Sequence, residues 1–245
     1  MPGKKKNSEQ KAENPKKAQF GKRTVHRNVK NVYSDILLSA PQTMKAKLTV
    51  GVAGVMPRIG ATTQAIQIVL HMFYKNYNVA YVEMNDHGFV SKLENNYLGV
   101  RKNKNGNLVY RQITFVSRDN IKSVLNDDYD ALVFDYGSYD DEEFDLISFS
   151  ERNVQVFVCG CKPEETPNTI RTLIDTDLPY CKYIFSFVPE GEQDEALQIM
   201  EKQQQKATFF TEFIPDYFTY CSSDPDKTIY AQIIPKREQE EAEGE

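Results

Sequence analysis

A chain of 245 residues with 40% hydrophobic and 27% charged side chains has room for one sizeable α/β domain with tails, or at most two small domains, and one domain is the expectation. No stretch approaches the roughly 18 to 20 uninterrupted apolar residues that span a bilayer, and the lysine-rich start "MPGKKKNSEQKAENPKK" lacks the apolar run of a secretory signal, which points to a cytoplasmic protein, peripheral if it meets a membrane. The formal net charge of −5 conceals an asymmetry, because residues 1–30 hold ten Lys and Arg against two Glu, a net +8 at one end.

In chain order, residues 1–44 read as a basic, largely disordered arm, since so polar a segment buries too little apolar area to offset chain entropy. The arm is either a solubilising tail or an electrostatic contact for an anionic membrane surface or DNA. Residues 45–236 then carry apolar runs of strand length: "AKLTVGVAG", "NVAYVEMN", "RQITFVS", "DALVFDYG", "VQVFVCGC", "KYIFSFVP" and "ATFFTEFIP". Most are continuous and rich in Val, Ile and Phe, the pattern of strands covered on both faces in a parallel sheet. Helical stretches alternate with them: "TTQAIQIVLHMFYKN", "DHGFVSKLENNY", "RDNIKSVLND", "TPNTIRTLID" and "DEALQIMEKQQQK". The alternation predicts a doubly wound α/β fold with a mainly parallel sheet flanked by helices. Asn105-Gly106 interrupts the rhythm with a hairpin signal, so a short antiparallel excursion is expected there. Residues 237–245 close the chain as an acidic, disordered tail. Cys159, Cys161, Cys181 and Cys221 lack the CxxC spacing of a zinc site and read as reduced thiols.

In an open α/β sheet, ligands gather outside the carboxyl ends of the strands. Three predicted strand ends carry polar residues there: Gly54 to Thr63, then Glu83-Met84-Asn85-Asp86, then Asp135-Tyr136-Gly137. The first lies between a strand and a helix, the setting of a phosphate-binding loop, and the helix N-terminus behind it attracts anions through its free N–H groups and dipole.

Taken together, "MPRIGATT" (56 to 63), "EMNDHG" (83 to 88) and "ALVFDYG" (131 to 137) resemble the phosphate-loop ATPases of the ParA/MinD group, which includes TadZ/CpaE-like pilus-localising proteins. The resemblance runs from about Lys47 to Pro215 and takes in "FIPD" (213 to 216). It implies a phosphate-loop nucleotide-binding fold, with ATP or ADP and Mg²⁺ as cofactors and a homodimer or machinery proteins as partners. On that likeness Arg58, Ile59, Gly60, Ala61, Thr62 and Thr63 form the nucleotide loop, and Pro215-Asp216 lies near the base. Thr62 and Asp135 would hold Mg²⁺, and Glu83, Asn85 and Asp135 are the catalytic candidates. Ser186 stands where the family usually has an asparagine for the base.

The family's first loop reads approximately KGGxGKTT, and this chain departs from it where the charge should be. Met56 replaces the signature lysine, Pro57-Arg58 replaces the glycine pair, and Ala61 replaces the phosphate-gripping lysine. Pro57 removes one backbone donor, and Asn85 cannot take a proton as a carboxylate does. The expectation is therefore a degenerate member, weakly or non-catalytic, binding nucleotide feebly or not at all, that acts as a localisation or assembly factor in pilus, secretion, conjugation or partition machinery. The alternatives are an active ATPase with an altered loop and a DNA-binding partition or mobile-element protein.

Overall fold

The computed structural model describes residues 47–236, so the basic arm assigned to 1–44 and the acidic tail assigned to 237–245 lie outside the described residues. A nine-stranded sheet, ordered β3-β4-β5-β2-β6-β1-β7-β8-β9, forms the centre of what is described. Its strands are β1 (Leu48–Gly54), β2 (Val79–Glu83), β3 (Arg101–Lys102), β4 (Leu108–Tyr110), β5 (Ile113–Val116), β6 (Ala131–Ser138), β7 (Val154–Cys159), β8 (Lys182–Ser186) and β9 (Thr208–Thr211). Every pairing from β5 to β9 along that order is parallel. Only β3 and β4 run antiparallel, as the hairpin at Asn105-Gly106 foretold, with Gly106 taking the positive φ of 81° that such a turn requires. The doubly wound, mainly parallel α/β architecture expected from the sequence is the one observed.

The continuous apolar runs pack on both faces of the sheet. Val50 and Val52 of β1 join a core with helix α1 (Ala61–Tyr74), while Gly51 turns to the opposite face. A Cβ on Gly51 would come within 3.0 Å of both Phe149 and Arg152, so the close approach of helix α4 (Leu146–Ser150) demands a glycine there. Helices on opposite faces after β1 and before β7 put the reversal of the winding between β1 and β6, the place where ligands sit in such sheets.

Helix α2 (Phe89–Asn96) and helix α5 (Thr166–Thr176) fall where expected. Two expected helices are broken. The 118–127 stretch is a 3₁₀ turn, Arg118–Asn120, followed by the single-turn α3 (Lys122–Leu125). The 194–206 stretch divides into α6 (Gln193–Gln198) and α7 (Lys202–Lys206), because Glu201 and Gln204 form a reciprocal capping box that starts a new helix. Strand β9 stops at Thr211, short of the Phe213-Ile214-Pro215 end expected for it, since Pro215 has no N–H to offer a ladder. From there the chain runs as a largely irregular strap to helix α8 (Tyr230–Ile233).

Candidate functional site

The strand register brings the predicted residues to one place. Asp135 pairs with Val52 of β1 on one side and with Glu83 of β2 on the other. The loop from Val55 to Gly60 leaves β1 beside them and delivers Thr62, the second residue of α1, over Asp135. Thr62 Oγ1 donates to Asp135 Oδ2 at 2.7 Å.

Arg58 has φ 65° and Gly60 φ 103°, both positive, and no side chain caps the start of α1. A left-handed arginine is uncommon, because only glycine adopts that region without steric cost. Ile59 folds back over β1, where a Cβ on Gly54 would lie 2.5 Å from its Cγ2. Ala61 is buried, its methyl group packed into the core. Arg58 and Pro57 are exposed, and Thr63 is half-buried.

Asp135 is fully buried and already served. Oδ2 accepts from the hydroxyls of Thr62 and Tyr81, each at 2.7 Å, and Oδ1 accepts from the Gly137 N–H at 3.0 Å. Burial, reinforced by the Asp135 charge, pushes the Tyr81 hydroxyl well above the ordinary tyrosine range, so it stays protonated as a donor. Tyr81 is the functional neighbour that sequence reasoning missed. A tyrosine within an apolar strand run looks like packing, and only the pairing of β2 with β6 shows its hydroxyl aimed at a carboxylate.

Glu83 and Asn85, read as catalytic candidates, both bond to neighbouring backbone. The Glu83 carboxylate, 4% exposed, accepts from Val90 N–H at 3.1 Å and from Phe89 N–H, capping the first turn of α2. Burial raises its pKa, and those two N–H groups oppose the rise. Asn85 donates to the Asp135 carbonyl at 2.9 Å and accepts from His87 N–H at 3.0 Å. Gly137, at φ 73°, makes room for this turn, since a Cβ there would lie 2.8 Å from that of Asn85.

Pro215-Asp216 belongs to the strap. Asp216 Oδ2 accepts from Thr219 Oγ1 at 2.8 Å, a turn closed on itself. Ser186 accepts from Gln64 Nε2 at 3.3 Å. The next strap residues are tied to α1 through Gln67, which donates to the carbonyls of Tyr217 and Thr219 at 3.2 and 2.9 Å. The arrangement thus joins Thr62, Glu83, Asn85 and Asp135, while Asp216 bonds within its own turn.

The Thr62 hydroxyl proton is engaged with one oxygen of Asp135. The surrounding carboxyl edge adds Asp86, Asp140 and Asp141, which pair with Arg118, Arg171 and His87. Among the described residues no group of three or more His, Cys, Asp or Glu is arranged to hold a metal ion.

No family model matches the sequence, and no curated protein matches it. Solved structures resemble it at low identity. The MinD cell division protein of Aquifex aeolicus is 15% identical, with a TM-score of 0.49 over 69% of this chain and 84% of that one. A plasmid partition protein of Borrelia burgdorferi bound to AMPPNP is 11% identical, with a TM-score of 0.49 over 77% of this chain and 97% of that one. A nucleotide-binding protein of Archaeoglobus fulgidus in complex with ADP is 14% identical, with a TM-score of 0.45 over 69% of this chain and 82% of that one.

Proposed function

We propose that this chain is a phosphate-loop protein that has kept the backbone of its site and lost the charge chemistry, and that it works as a weakly or non-catalytic localisation or assembly factor of the ParA/MinD-like kind. The observation that carries this reading is the state of Asp135. Its carboxylate accepts hydrogen bonds from Thr62, Tyr81 and Gly137, beneath a loop whose lysine position is a buried alanine. Phosphoryl transfer depends almost wholly on positioning and charge stabilisation, and loss of one preorganised donor costs roughly 10²- to 10³-fold in rate. Met56 and Ala61 stand where two lysines would act. Loop N–H groups and Arg58 leave feeble ATP or ADP binding as the residual capacity. Partners on this reading are a second copy or proteins of the assembled machinery, with the basic arm reaching for an anionic surface.

A thermal-shift titration with ATP, ADP and Mg²⁺ tests it, because a ligand specific to the folded state stabilises it by RT ln(1 + [L]/Kd). We expect little or no shift at nucleotide concentrations of about 1 mM, where a ligand with a micromolar Kd would give roughly 4 kcal/mol. Ala61→Lys restores a cation to a loop whose backbone is already turned, so it should tighten nucleotide binding in a direct assay. Mg²⁺-dependent ATP turnover by the unaltered protein that disappears in Asp135→Ala would overturn the proposal in favour of an active ATPase.

A further inference from the structure

The more exposed Arg118 and Arg171 hold carboxylates, whereas Arg152, 7% exposed, holds none among the described residues. Arg152 follows α4 on the face of the sheet away from α1, and its guanidinium carbon lies 4.4 Å from the centre of the Phe134 ring. Nε donates to the Ser148 carbonyl and Nη2 to Ser148 Oγ, both at 2.9 Å. Those two bonds use the side edge of the guanidinium. Its end edge, where Nη1 and Nη2 present parallel N–H groups, meets no acceptor among the described residues. That edge is not sealed off either. Thr172 Oγ1 is the only side-chain polar atom of the described residues that is both enclosed and unpartnered, so Nη1 reaches an opening in the surface. The acids nearby in sequence do not pair with it: Asp145 Oδ1 caps α4 by accepting from Ser148 N–H at 3.0 Å, and Glu151 is exposed.

We propose that Arg152 is the floor of a carboxylate-binding site, in which the free end edge of the guanidinium takes both oxygens of one carboxylate. A buried lysine can shed its charge by titrating, but a guanidinium cannot, so burial leaves it in need of an anion. The stack on Phe134 and the two bonds to neutral oxygens of Ser148 orient the group without neutralising it. Two parallel N–H groups match the two oxygens of a carboxylate, the pairing that arginine makes better than any other side chain. A tetrahedral oxyanion fits less well, because its remaining oxygens would need donors, and the neighbouring hydroxyls of Tyr136 and Ser148 are already bonded to each other at 2.8 Å. The carboxylate has two possible sources of the same chemistry: the five glutamates of residues 237–245 of this chain, or a small carboxylic acid. The inference rests on the buried arginine and stands or falls apart from the reading of the phosphate loop.

Acetate is the probe, titrated into the unaltered full chain against chloride at constant ionic strength. The Nε–H of Arg152, held to the Ser148 carbonyl, gives a nitrogen-15 resonance that can be assigned through its own bonds, so the first readout needs no variant. It should shift saturably with acetate, with a millimolar dissociation constant, and stay still in chloride. The second readout is the thermal midpoint, which a ligand of the folded state raises. Arg152→Lys keeps the charge and loses the fork, and should weaken the acetate effect by about 10-fold. Repeating the titration on a chain ending at Lys236 separates the sources. Tighter acetate binding by the shortened chain would identify the glutamate tail as the resident carboxylate, and equal binding would point to a small acid; both results support the site. A resonance that drifts without saturation, or that moves equally in chloride, would overturn the proposal, and so would an acetate-dependent midpoint rise that survives undiminished in folded Arg152→Lys.

Discussion

Thr62 and Tyr81 spend their hydroxyl protons on a single oxygen of Asp135, and that shared target links the stability of the fold to the state of the site. A buried carboxylate is tolerable only while its lone pairs are met, and a hydrogen bond to a charged acceptor contributes about 1.5 to 3 kcal/mol. Tyr81→Phe isolates that contribution. The ring keeps its contacts with Phe89 and Phe115, at centroid distances of 5.6 and 5.5 Å, and only the hydroxyl is lost. Urea denaturation should show a loss of about 1.5 to 3 kcal/mol with an unchanged slope. A loss within the ordinary scatter of surface substitutions, about 0.5 kcal/mol, would mean that Thr62 and Gly137 satisfy Asp135 by themselves. At this scale the sequence was partly legible. Asp135 and Thr62 stood out by position, whereas the hold of Glu83 on the first turn of α2 was not legible, because a strand-end carboxylate carries no local mark of the N–H groups it will meet.

Helix α1 buries polar side chains along one stripe. Gln64, Gln67 and His71, spaced so as to share a face, are 2%, 0% and 4% exposed where a core helix would carry aliphatic residues. Gln67 and His71 reach the strap between β9 and α8, and Gln64 reaches α8 itself. Gln64 accepts from the Tyr230 hydroxyl at 2.7 Å, Gln67 accepts from Cys221 N–H at 3.1 Å besides its two carbonyl contacts, and His71 Nδ1 lies 2.9 Å from the Tyr220 hydroxyl. The strap has almost no ladder of its own, so these side chains stand in for a missing element by satisfying its backbone. Gln67→Leu nearly conserves volume and orphans the Tyr217 and Thr219 carbonyls and the Cys221 N–H. We expect a loss of about 2 to 4 kcal/mol, from the cost of leaving buried polar groups unpaired. Amide exchange over 217–221 should quicken more than exchange in β1 or β6, and uniform quickening across the molecule would argue against a local clamp. Strands β1, β2, β5, β6, β7 and β8 were legible because burial on both faces leaves continuous apolar runs. The strap was not, since its backbone is held by Gln67, 150 to 154 residues away in sequence, rather than by any local period.

Across the molecule, charge is segregated by sequence position. The described residues hold 27 Asp and Glu against 18 Lys and Arg, while residues 1–30 carry net +8. The carboxyl edge is itself acidic. Asp140, Asp141, Glu142, Glu143 and Asp145 follow β6 within seven residues, at the same carboxyl edge as the loop after β1. A net-negative domain is repelled by a polyanion at long range. If the chain docks on an anionic surface, the arm must supply the attraction. Deleting residues 1–30 should therefore weaken binding to vesicles containing phosphatidylserine or to duplex DNA, yet leave the urea midpoint of the remaining chain nearly unchanged, because so polar a segment offers little apolar area to bury. Each Lys or Arg near an anionic membrane is worth on the order of 1 kcal/mol and acts within a Debye length of about 8 Å at physiological salt, so raising the salt severalfold should reproduce the deletion in the full chain. Vesicles and DNA assayed side by side separate the two surfaces, and a loss confined to DNA, steep in salt, would favour the partition-protein alternative. Equal binding by full-length and truncated protein at low salt would leave the arm as a solubilising segment and move the localising role onto the folded domain itself.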